Sequence, residues 1–239
     1  MSFPPPTLAV SPRRRSSRLA YAPPVLWALL EDVPAEEVRE LLKIARRRRF
    51  ARNEVVFHQD DLGDSLHLII KGRFSVRVAT PLGEVATIAV RGPGESFGEM
   101  ALLAEEPRRS ATLTALEEAE TFAVYRTEFE RLRQQRPDVD AFLFRFVVGE
   151  VSNLRDRLLE ALYLPVQKRV LRRLVELAHI YGGEDAVIAL TQEAIAELAG
   201  ATRTTVNQVL REEEGRGTIA LDRARTRVLD LDELKRRAS

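Results

Sequence analysis

The 239-residue sequence predicts an α+β protein in which a β jelly roll is followed by one long helix and a smaller, mainly helical domain. Three observations predict this order. Short β-rich runs with period-two alternation occupy residues 50–125 and are separated by Gly- and Pro-containing turns. Apolar residues with the spacing of a helical seam follow from Val147. After Pro165 the pattern changes to helices, a tight turn and two short strands.

Composition excludes several classes of protein. The chain has 37 Lys+Arg and 36 Asp+Glu, and this balance is incompatible with a uniformly basic nucleic-acid coat. The absence of cysteine excludes disulfides, thiolate metal sites, iron–sulfur clusters and a Cys nucleophile, and it is compatible with the reducing cytoplasm, where we expect the protein to reside. No apolar run approaches the ~18 residues that a membrane helix needs, so no membrane association is expected.

The N-terminal region divides into a tail and a lead-in helix. Residues 1–22 hold four prolines and an Arg13–Arg15 run, so a disordered basic tail is predicted. Residues 23–137 are assigned to the barrel domain. A helix is expected to begin at Pro34 and to end with the Arg46–Arg49 run.

Six runs of the barrel segment fit strands. They share β-branched or aromatic residues and are bounded by turn signals. They are Val55–Phe57, Leu66–Ile70, Phe74–Val78, Val85–Val90, Ala111–Thr114 and Thr121–Tyr125. Short strands at this spacing indicate a sandwich or jelly roll.

The long helix is predicted over residues 138–164, with a hinge at Pro165. It would extend about 40 Å and protrude from a small barrel. Its seam consists of Val147, Val151, Leu154, Leu158 and Ala161. The economical partner for this seam is the same helix of a second copy, so residues 138–165 are assigned as a dimerisation helix and hinge of a homodimer.

One segment of the barrel combines groups suited to an anionic sugar ligand. Gly98 allows close approach of the backbone, and residues 99–103 could form one helical turn. Glu99 can accept from a sugar hydroxyl, while Arg109, expected to begin the next strand, and Ser110 can donate to a phosphate. A charged surface loop with an Arg–Glu pair is the alternative interpretation.

Residues 166–239 predict a winged helix-turn-helix domain. Thr191 and Thr202 are expected to cap two helices, and Gly200 provides the turn between them. A further turn is expected at Gly215–Gly217, followed by two strands of a wing with a basic face. That face consists of Arg223, Arg225 and Arg227. This domain holds 13 Lys+Arg and 12 Asp+Glu, so its basic residues are confined to the expected DNA face.

Seven residues of this domain are predicted to contact DNA. The second helix presents its outward side chains to the major groove, its Thr residues suit phosphates, and the wing contributes one arginine. They are Thr202, Arg203, Thr204, Thr205, Asn207, Gln208 and Arg225.

The barrel segment resembles the phosphate-binding cassette of the cyclic-AMP receptor/fumarate-nitrate regulator (CRP/FNR) superfamily of bacterial transcription regulators. The similarity rests on Gly72, the Phe97-Gly98-Glu99 turn, and Arg109-Ser110-Ala111 beginning ten residues beyond Glu99, and it extends over residues 25–239. It implies that Glu99 binds the ribose 2′-hydroxyl and that Arg109 and Ser110 bind a cyclic phosphate. Gly98, Met100 and Val76 are assigned to the same ligand site.

The sequence departs from that family in two places. An ungapped alignment through the long helix puts Leu154 and Arg155 where the cyclic-AMP receptors carry the Thr-Ser pair that reads adenine. In the second helix Arg203 matches the family's guanine contact. Thr204 stands where those receptors carry Glu, and Gln208 stands where they carry Arg. The change in the long helix should alter which nucleotide base the ligand site prefers, and the changes in the second helix should alter the operator sequence.

The sequence thus predicts a homodimeric, DNA-binding transcription regulator rather than an enzyme, and it leaves activation versus repression open. Its expected effector is cyclic AMP or another cyclic nucleotide, with no cofactor. Its expected partners are a palindromic duplex operator and, by resemblance only, RNA polymerase. The three histidines have no ligand spacing, so no metal site is expected. Two alternatives remain: a regulator of the same fold that binds DNA without cyclic nucleotide, and a cyclic-nucleotide-binding regulatory subunit of a partner enzyme.

Overall fold

The α+β class is confirmed, with a β-sheet domain, a long helix and a C-terminal helix-turn-helix domain in chain order. The predicted tail, residues 1–22, lies outside the described residues. The computed structural model describes one isolated position and four segments: Trp27, 35–79, 83–103, 107–135 and 138–239.

Two four-stranded antiparallel sheets form the barrel. Their orders along the sheets are β1-β8-β3-β6 and β2-β7-β4-β5. A buried cluster with members from both sheets, including Ile69, Phe74, Phe97 and Leu113, fills the space between them. The strands are β1 (Arg46–Phe50), β2 (Val55–Phe57), β3 (Ser65–Lys71), β4 (Phe74–Ala79), β5 (Val85–Arg91), β6 (Ser96–Phe97), β7 (Thr112–Ala115) and β8 (Ala119–Tyr125).

Within the described ranges, three helices belong to the barrel: α1 (Ala35–Ile44), α2 (Met100–Leu103) and α3 (Arg126–Gln135). A second apolar cluster joins α1 and α3 to the sheet that contains β3 and β8. Trp27 belongs to this cluster with Leu41 and Phe129, and its indole Nε1 donates to the carbonyl of Ile69 at 2.8 Å.

The prediction that Arg46–Arg49 ends the first helix is wrong. Helix α1 ends at Ile44, and the arginine run forms β1, which pairs with β8 from Arg46↔Ala123 to Phe50↔Ala119. All four arginine side chains are exposed, and Glu120 of β8 forms ion pairs with two of them. Strand β1 is the edge strand of its sheet, so β8 pairs with the backbone of the run along one side only, and the charged side chains remain in solvent on both faces of the strand.

A histidine lies in the centre of the barrel. His67 of β3 is 4% exposed, and its ring stacks on Phe97 with centroids 4.8 Å apart. Its Nδ1 lies 3.0 Å from Thr121 Oγ1. Burial lowers the pKa of His67 from 6.5 to about 3, and the charge of Arg109 contributes to the shift. The imidazole is therefore neutral in the folded protein at physiological pH.

Helix α4 (Asp138–Tyr163) has 26 residues and leaves one apolar face exposed in the single chain. The exposed apolar side chains described on it are Phe144, Val147, Val148, Val151, Leu154, Leu158, Leu159, Leu162 and Tyr163.

Ion pairs cross the junction after α4. Pro165 occupies the N-cap position of the next helix, α5 (Val166–Ile180). Glu160, in the last turn of α4, accepts from Arg172 at 2.8 Å and also bonds Arg173, whose guanidinium is buried. The angle between the two helices is thus held by one carboxylate and two arginines.

The C-terminal domain packs four helices and a three-stranded sheet around one core. Helices α6 (Gln192–Ala199), α7 (Arg203–Arg216) and α8 (Leu231–Ala238) join α5 in this core. The sheet, of order β10-β11-β9, contains β9 (Val187–Ile188), β10 (Ile219–Asp222) and β11 (Arg225–Val228). Sequence patterning did not reveal β6 or β9, each of only two residues.

Two details of this domain differ from the sequence-based expectation. Helix α7 continues through Gly215 and ends at the left-handed Gly217, so the turn begins later than predicted. Arg223 lies in the turn between the wing strands, whereas Arg225 and Arg227 are exposed on β11. The basic strand face therefore has two arginines and not three.

The barrel contacts the C-terminal domain directly. The backbone N–H of Thr87 in β5 donates to Glu197 Oε2 of α6 at 2.7 Å. Arg73 donates from Nε to the carbonyl of Ile180 at 3.0 Å and lies over the Tyr181 ring. Val90 of β5 joins the apolar core of the C-terminal domain.

None of the helices in the described ranges is both long enough and apolar enough to cross a bilayer.

Replacing Gly72 by Ala should destabilise the protein more than the same change at Gly83. Both glycines have positive φ (79° and 85°), which costs a non-Gly residue about 1–2 kcal/mol. At Gly72 a Cβ would also lie 2.5 Å from Ala119 Cβ and 2.7 Å from Glu118 O, whereas nothing lies within 4 Å at Gly83. Overpacking adds about 1–3 kcal/mol at Gly72. Urea unfolding measures both variants, and equal losses would contradict this account.

The free energy of unfolding should fall as the pH decreases from 7 to 5. Folded His67 stays neutral because its pKa is about 3, whereas the unfolded residue binds a proton below the ordinary histidine pKa of 6.5. Because the unfolded state then binds one proton more than the folded state, the free energy of unfolding falls by up to about 1.4 kcal/mol for each unit by which the pH decreases. His67→Phe should reduce the slope by one proton. An unchanged slope in His67→Phe would refute the assignment.

Candidate functional site

A cavity of about 960 Å³ lies where the barrel meets α4 and α5. Its barrel wall includes β6 and the turn into α2, and its other walls come from the two helices. All six predicted ligand residues from the barrel line it, together with Leu154 of α4. These six are Val76, Gly98, Glu99, Met100, Arg109 and Ser110.

A glycine is required at position 98 because Arg109 and the backbone of Ser65 lie very close to it. Its φ is 84°, and a Cβ there would lie 2.5 Å from Arg109 Nη1 and 2.7 Å from the carbonyl oxygen of Ser65. Only a residue without a side chain leaves room for the guanidinium beneath this turn.

The Glu99 carboxyl is half-buried at the start of the α2 turn. Burial raises its pKa above the ordinary value, and the neighbouring Glu150 carboxylate of α4 contributes to the rise. Arg91 and Arg109 oppose the shift. The site thus joins an acid and two arginines that belong to different strands and loops.

Arg109 is buried and held by the barrel. Its Nη1 donates to the carbonyls of Ser65 (2.7 Å) and Gly98 (3.3 Å), and its Nη2 donates to Ser65 Oγ at 3.1 Å. Its guanidinium carbon lies 4.0 Å from the centroid of the Phe57 ring. Only 5% of the residue is exposed. Arg109 does not begin a strand as predicted, because β7 starts at Thr112.

One donor of this arginine has no partner in the part of the chain that the structure describes. Among the described residues, Arg109 Nε is a buried polar atom without a hydrogen-bond partner. Because an unpaired buried donor is costly, an acceptor reaching Nε from the cavity would be stabilised there. Ser110, the next residue, is exposed and lines the same cavity. The donor set therefore fits an anionic group such as a phosphate.

The helical wall of the cavity differs from the sequence-based assignment at one position. Leu154 lines the cavity, but Arg155 is absent from the lining and instead bonds its neighbour Asp156 on the exposed surface. Asn153 and Arg157 line the cavity, and Arg157 reaches the carbonyl of Ile88 at 2.9 Å.

Sequence reasoning did not assign these polar residues to the site. The signal that could have found them is their helical spacing, because Glu150, Asn153, Arg157 and Glu160 follow at intervals of three, four and three and share one polar face of α4. Phe57, which stacks on Arg109, carried no local signal.

The second candidate site is the surface formed by α6, α7 and the wing. Thr191 accepts from the N–H of Ala194 and caps α6, and Thr202 accepts from the N–H of Thr205 and caps α7. Gly200 has φ 58° and closes α6 in the left-handed conformation. Local side-chain chemistry therefore sets the angle at which α7 begins.

The predicted DNA-contacting residues differ in exposure. Thr202, Arg203, Thr204 and Gln208 are exposed, whereas Thr205 is half-buried. Asn207 is also half-buried, and its Nδ2 donates to Gln192 Oε1 of α6 at 3.0 Å.

Arg225 lies on the wing opposite the start of α7. A groove of about 320 Å³ runs between Arg203 and the wing turn, with Arg223 and Arg225 along its edge. Three arginines thus border one concave surface, which suits a polyanionic backbone.

Comparison with known proteins identifies both domains. Residues 47–136 match the family model of the cyclic nucleotide-binding domain, and residues 168–237 match that of the Crp-like helix-turn-helix domain. Together the two matches span most of the chain.

The relatives matched over most of their length are transcription regulators and not enzymes. The chain is 28% identical over 215 residues to the CRP-like cAMP-activated global transcriptional regulator of Mycobacterium tuberculosis, covering 88% of this chain and 96% of that protein. It is 32% identical over 193 residues to the cyclic AMP receptor protein of Thermus thermophilus, covering 81% and 88%.

Among solved structures, the catabolite activator protein of Thermus thermophilus matches with a TM-score of 0.51 and 29% identity. The match covers 88% of this chain and 97% of that one. With the two family models and these relatives, the chain belongs to the CRP/FNR superfamily of DNA-binding transcription regulators.

Proposed function

We propose that this protein is a homodimeric transcription regulator whose affinity for a palindromic operator is controlled by a cyclic nucleotide bound in the barrel. The observation that carries the proposal is the shared cavity. The glycine turn, Glu99 and Arg109 form one wall, while α4 and α5 form the others. A ligand there would touch the barrel and the helices that lead to the DNA-binding domain.

The proposed phosphate contacts are Arg109 and Ser110. The unpartnered Nε–H of Arg109 and the exposed hydroxyl of Ser110 offer two donors to one anionic group. Asp64 and Glu99 counter the effect of burial on the pKa of Arg109, and the guanidinium stays charged. The Glu99 carboxylate would accept from a ribose hydroxyl, and Gly98 and Met100 would border the sugar.

Leu154 and Val76 supply apolar surface for a base, and Asn153 supplies an amide that both donates and accepts. We therefore assign base reading to Asn153 rather than Arg155, which bonds Asp156. Because an amide can pair with either purine edge, both cyclic AMP and cyclic GMP are candidates. Cyclic AMP is the expected effector because the names of the mycobacterial and Thermus relatives specify it.

The exposed face of α4 supports the homodimer. Val151, Leu154 and Leu158 are 60%, 68% and 57% exposed in the single chain. Large apolar side chains at heptad-like spacing are stabilised when an identical helix covers them. Two copies related in this way would carry two recognition helices.

On DNA we propose that α7 occupies the major groove, with Arg203, Thr204 and Gln208 toward base edges. Thr202, Thr205 and Arg225 would contact phosphates, while Asn207 would orient α7 through Gln192 as well as face the groove. Transcription activation through RNA polymerase and a cytoplasmic location complete the proposal.

One observation favours a second candidate function. Nη1 and Nη2 of Arg109 donate to oxygen atoms of Ser65 and Gly98. The barrel itself therefore supplies many of the hydrogen-bond acceptors that a bound anion would supply. This arrangement would also suit a regulator of the same fold that binds DNA without a cyclic nucleotide.

Isothermal titration calorimetry decides between the two candidates. We expect one saturable site per chain for cyclic AMP or cyclic GMP. Arg109→Ala should weaken binding by about 100-fold or more, because it removes the charged phosphate donor. The same substitution at exposed Arg52 of the barrel serves as a control. Absence of heat for both nucleotides at millimolar concentration would refute ligand control.

Selection from random duplex DNA tests the operator prediction. We expect a two-fold symmetric site whose half-sites lie about one helical turn, roughly 34 Å, apart. Arg203→Ala should cost about 1–3 kcal/mol at one base position if Arg203 reads guanine. Arg211→Ala, later in α7, is the matched control and should not change base preference. An equal loss on all sequences would make Arg203 a phosphate contact, and an asymmetric site would exclude the proposed dimeric reader.

A further inference from the structure

A chain of buried polar groups leads from Arg109 into the barrel, and two of its members, His67 and Thr121, have no part in the function proposed above. Thr121 Oγ1 lies 3.0 Å from His67 Nδ1, and His67 Nε2 lies 3.3 Å from Ser65 Oγ. Arg109 Nη2 donates to the same Oγ at 3.1 Å. Thr121, His67, Ser65 and Arg109 are all at most 5% exposed. The chain therefore runs inside the barrel from β8 through β3 to the guanidinium.

The hydrogens of this chain can be assigned consistently. Ser65 Oγ donates its single hydrogen to Asp64 Oδ1 at 2.8 Å, so it accepts from Arg109 and from His67 Nε2–H. Nδ1 of His67 then accepts the hydroxyl hydrogen of Thr121. Both hydroxyls and both ring nitrogens are satisfied when the imidazole is neutral with its proton on Nε2. A protonated imidazole would reverse the Thr121 bond, with Nδ1–H donating to Oγ1, and would place a second cation beside Arg109.

The same ring supports the other side of the cavity wall. His67 lies nearly parallel to Phe97, with an interplanar angle of 11°, and Phe97 directly precedes Gly98 and Glu99. Phe57, on which Arg109 stacks, contacts Phe97 edge to face at 5.9 Å. The imidazole thus contacts Phe97, and Phe97 in turn contacts the Phe57 ring on which Arg109 stacks.

Packing alone does not require a histidine here. A phenylalanine would fill a similar volume without the cost of burying two ring nitrogens. What the nitrogens add is a fixed orientation of the Ser65 hydroxyl, because that oxygen is bonded on three sides by His67, Asp64 and Arg109. A hydroxyl that cannot rotate holds Nη2, and the carbonyl of Ser65 holds Nη1.

We infer that His67 and Ser65 are positioning residues for the anion site, which hold Arg109 so that its Nε faces the phosphate of the ligand. This inference rests on the proposed function for its ligand, and on the contacts of His67 and Ser65 for the positioning itself. Neither residue lines the cavity.

The test uses the full chain and three substitutions. Ser65→Ala removes the hydroxyl, and His67→Phe keeps an aromatic ring against Phe97 but removes the nitrogens. Ser75→Ala is the matched control, because Ser75 is also a buried barrel serine (6% exposed) but bonds only the Thr114 carbonyl, at 3.4 Å. Urea unfolding of each variant measures how much stability is lost.

Two readouts are compared. Calorimetry with cyclic AMP should show affinity lower by about 10- to 150-fold in Ser65→Ala and His67→Phe, the range expected when a bond to a charged group is lost, and unchanged affinity in Ser75→Ala. The ¹⁵N–¹H resonance of Arg109 Nε, identified by its absence in Arg109→Lys, should shift or broaden in the first two variants and stay in place in the control.

The outcomes separate the inference from the proposed function. Wild-type affinity in both variants, or lower affinity with an unmoved Arg109 resonance, would overturn the positioning role. If His67→Phe does not fold, Ser65→Ala alone decides by the same criteria. If the wild-type protein binds neither cyclic AMP nor cyclic GMP, the proposed function fails. The Arg109 resonance then still shows whether His67 and Ser65 hold the guanidinium.

Discussion

The burial of the Arg109 guanidinium constrains the rest of the barrel site. A cation that is 5% exposed needs hydrogen-bond acceptors and a polarisable surface, because its hydration is lost. The carbonyls of Ser65 and Gly98 and the Phe57 ring meet these needs. The requirement in turn excludes a side chain at position 98, where a Cβ would lie 2.5 Å from Nη1. The guanidinium of Arg109 can thus be buried here only because position 98 has no side chain.

The cavity above this arginine is bordered by the helices that connect the two domains. Arg157 of α4 reaches the barrel at Ile88, and Glu160, one turn later, holds Arg172 and Arg173 of α5. On the other side, Glu197 of α6 accepts from Thr87 of β5. A ligand that shifts α4 would strain both sets of contacts. It could favour a second arrangement only by binding that arrangement more tightly.

The surface proposed to face DNA is organised mainly by short-range chemistry. The hydroxyls of Thr191 and Thr202 cap consecutive helices, and Gly200 closes the first of them in a conformation that other residues adopt at a cost. Asn207 then ties α7 to α6 through Gln192. These contacts leave Arg203, Thr204 and Gln208 exposed on one rigid helix, and a near-neutral domain still presents three arginines along the groove beside it.

The sequence by itself determined the order of the domains, most strands and helices, the caps of α6 and α7, and the glycine turn with Glu99 and Arg109. These features depend on periodicity and on interactions a few residues apart, which a single sequence displays. Tertiary structure decided that Arg46–Arg49 is a strand, because its pairing partner, β8, lies more than 70 residues away. It also decided that α4 faces the cavity with Asn153 and Arg157 rather than Arg155, since this depends on how the helix is rotated against the barrel. The contacts of His67 with Ser65, Thr121 and Phe97 join separate strands, and no local pattern in the sequence records them.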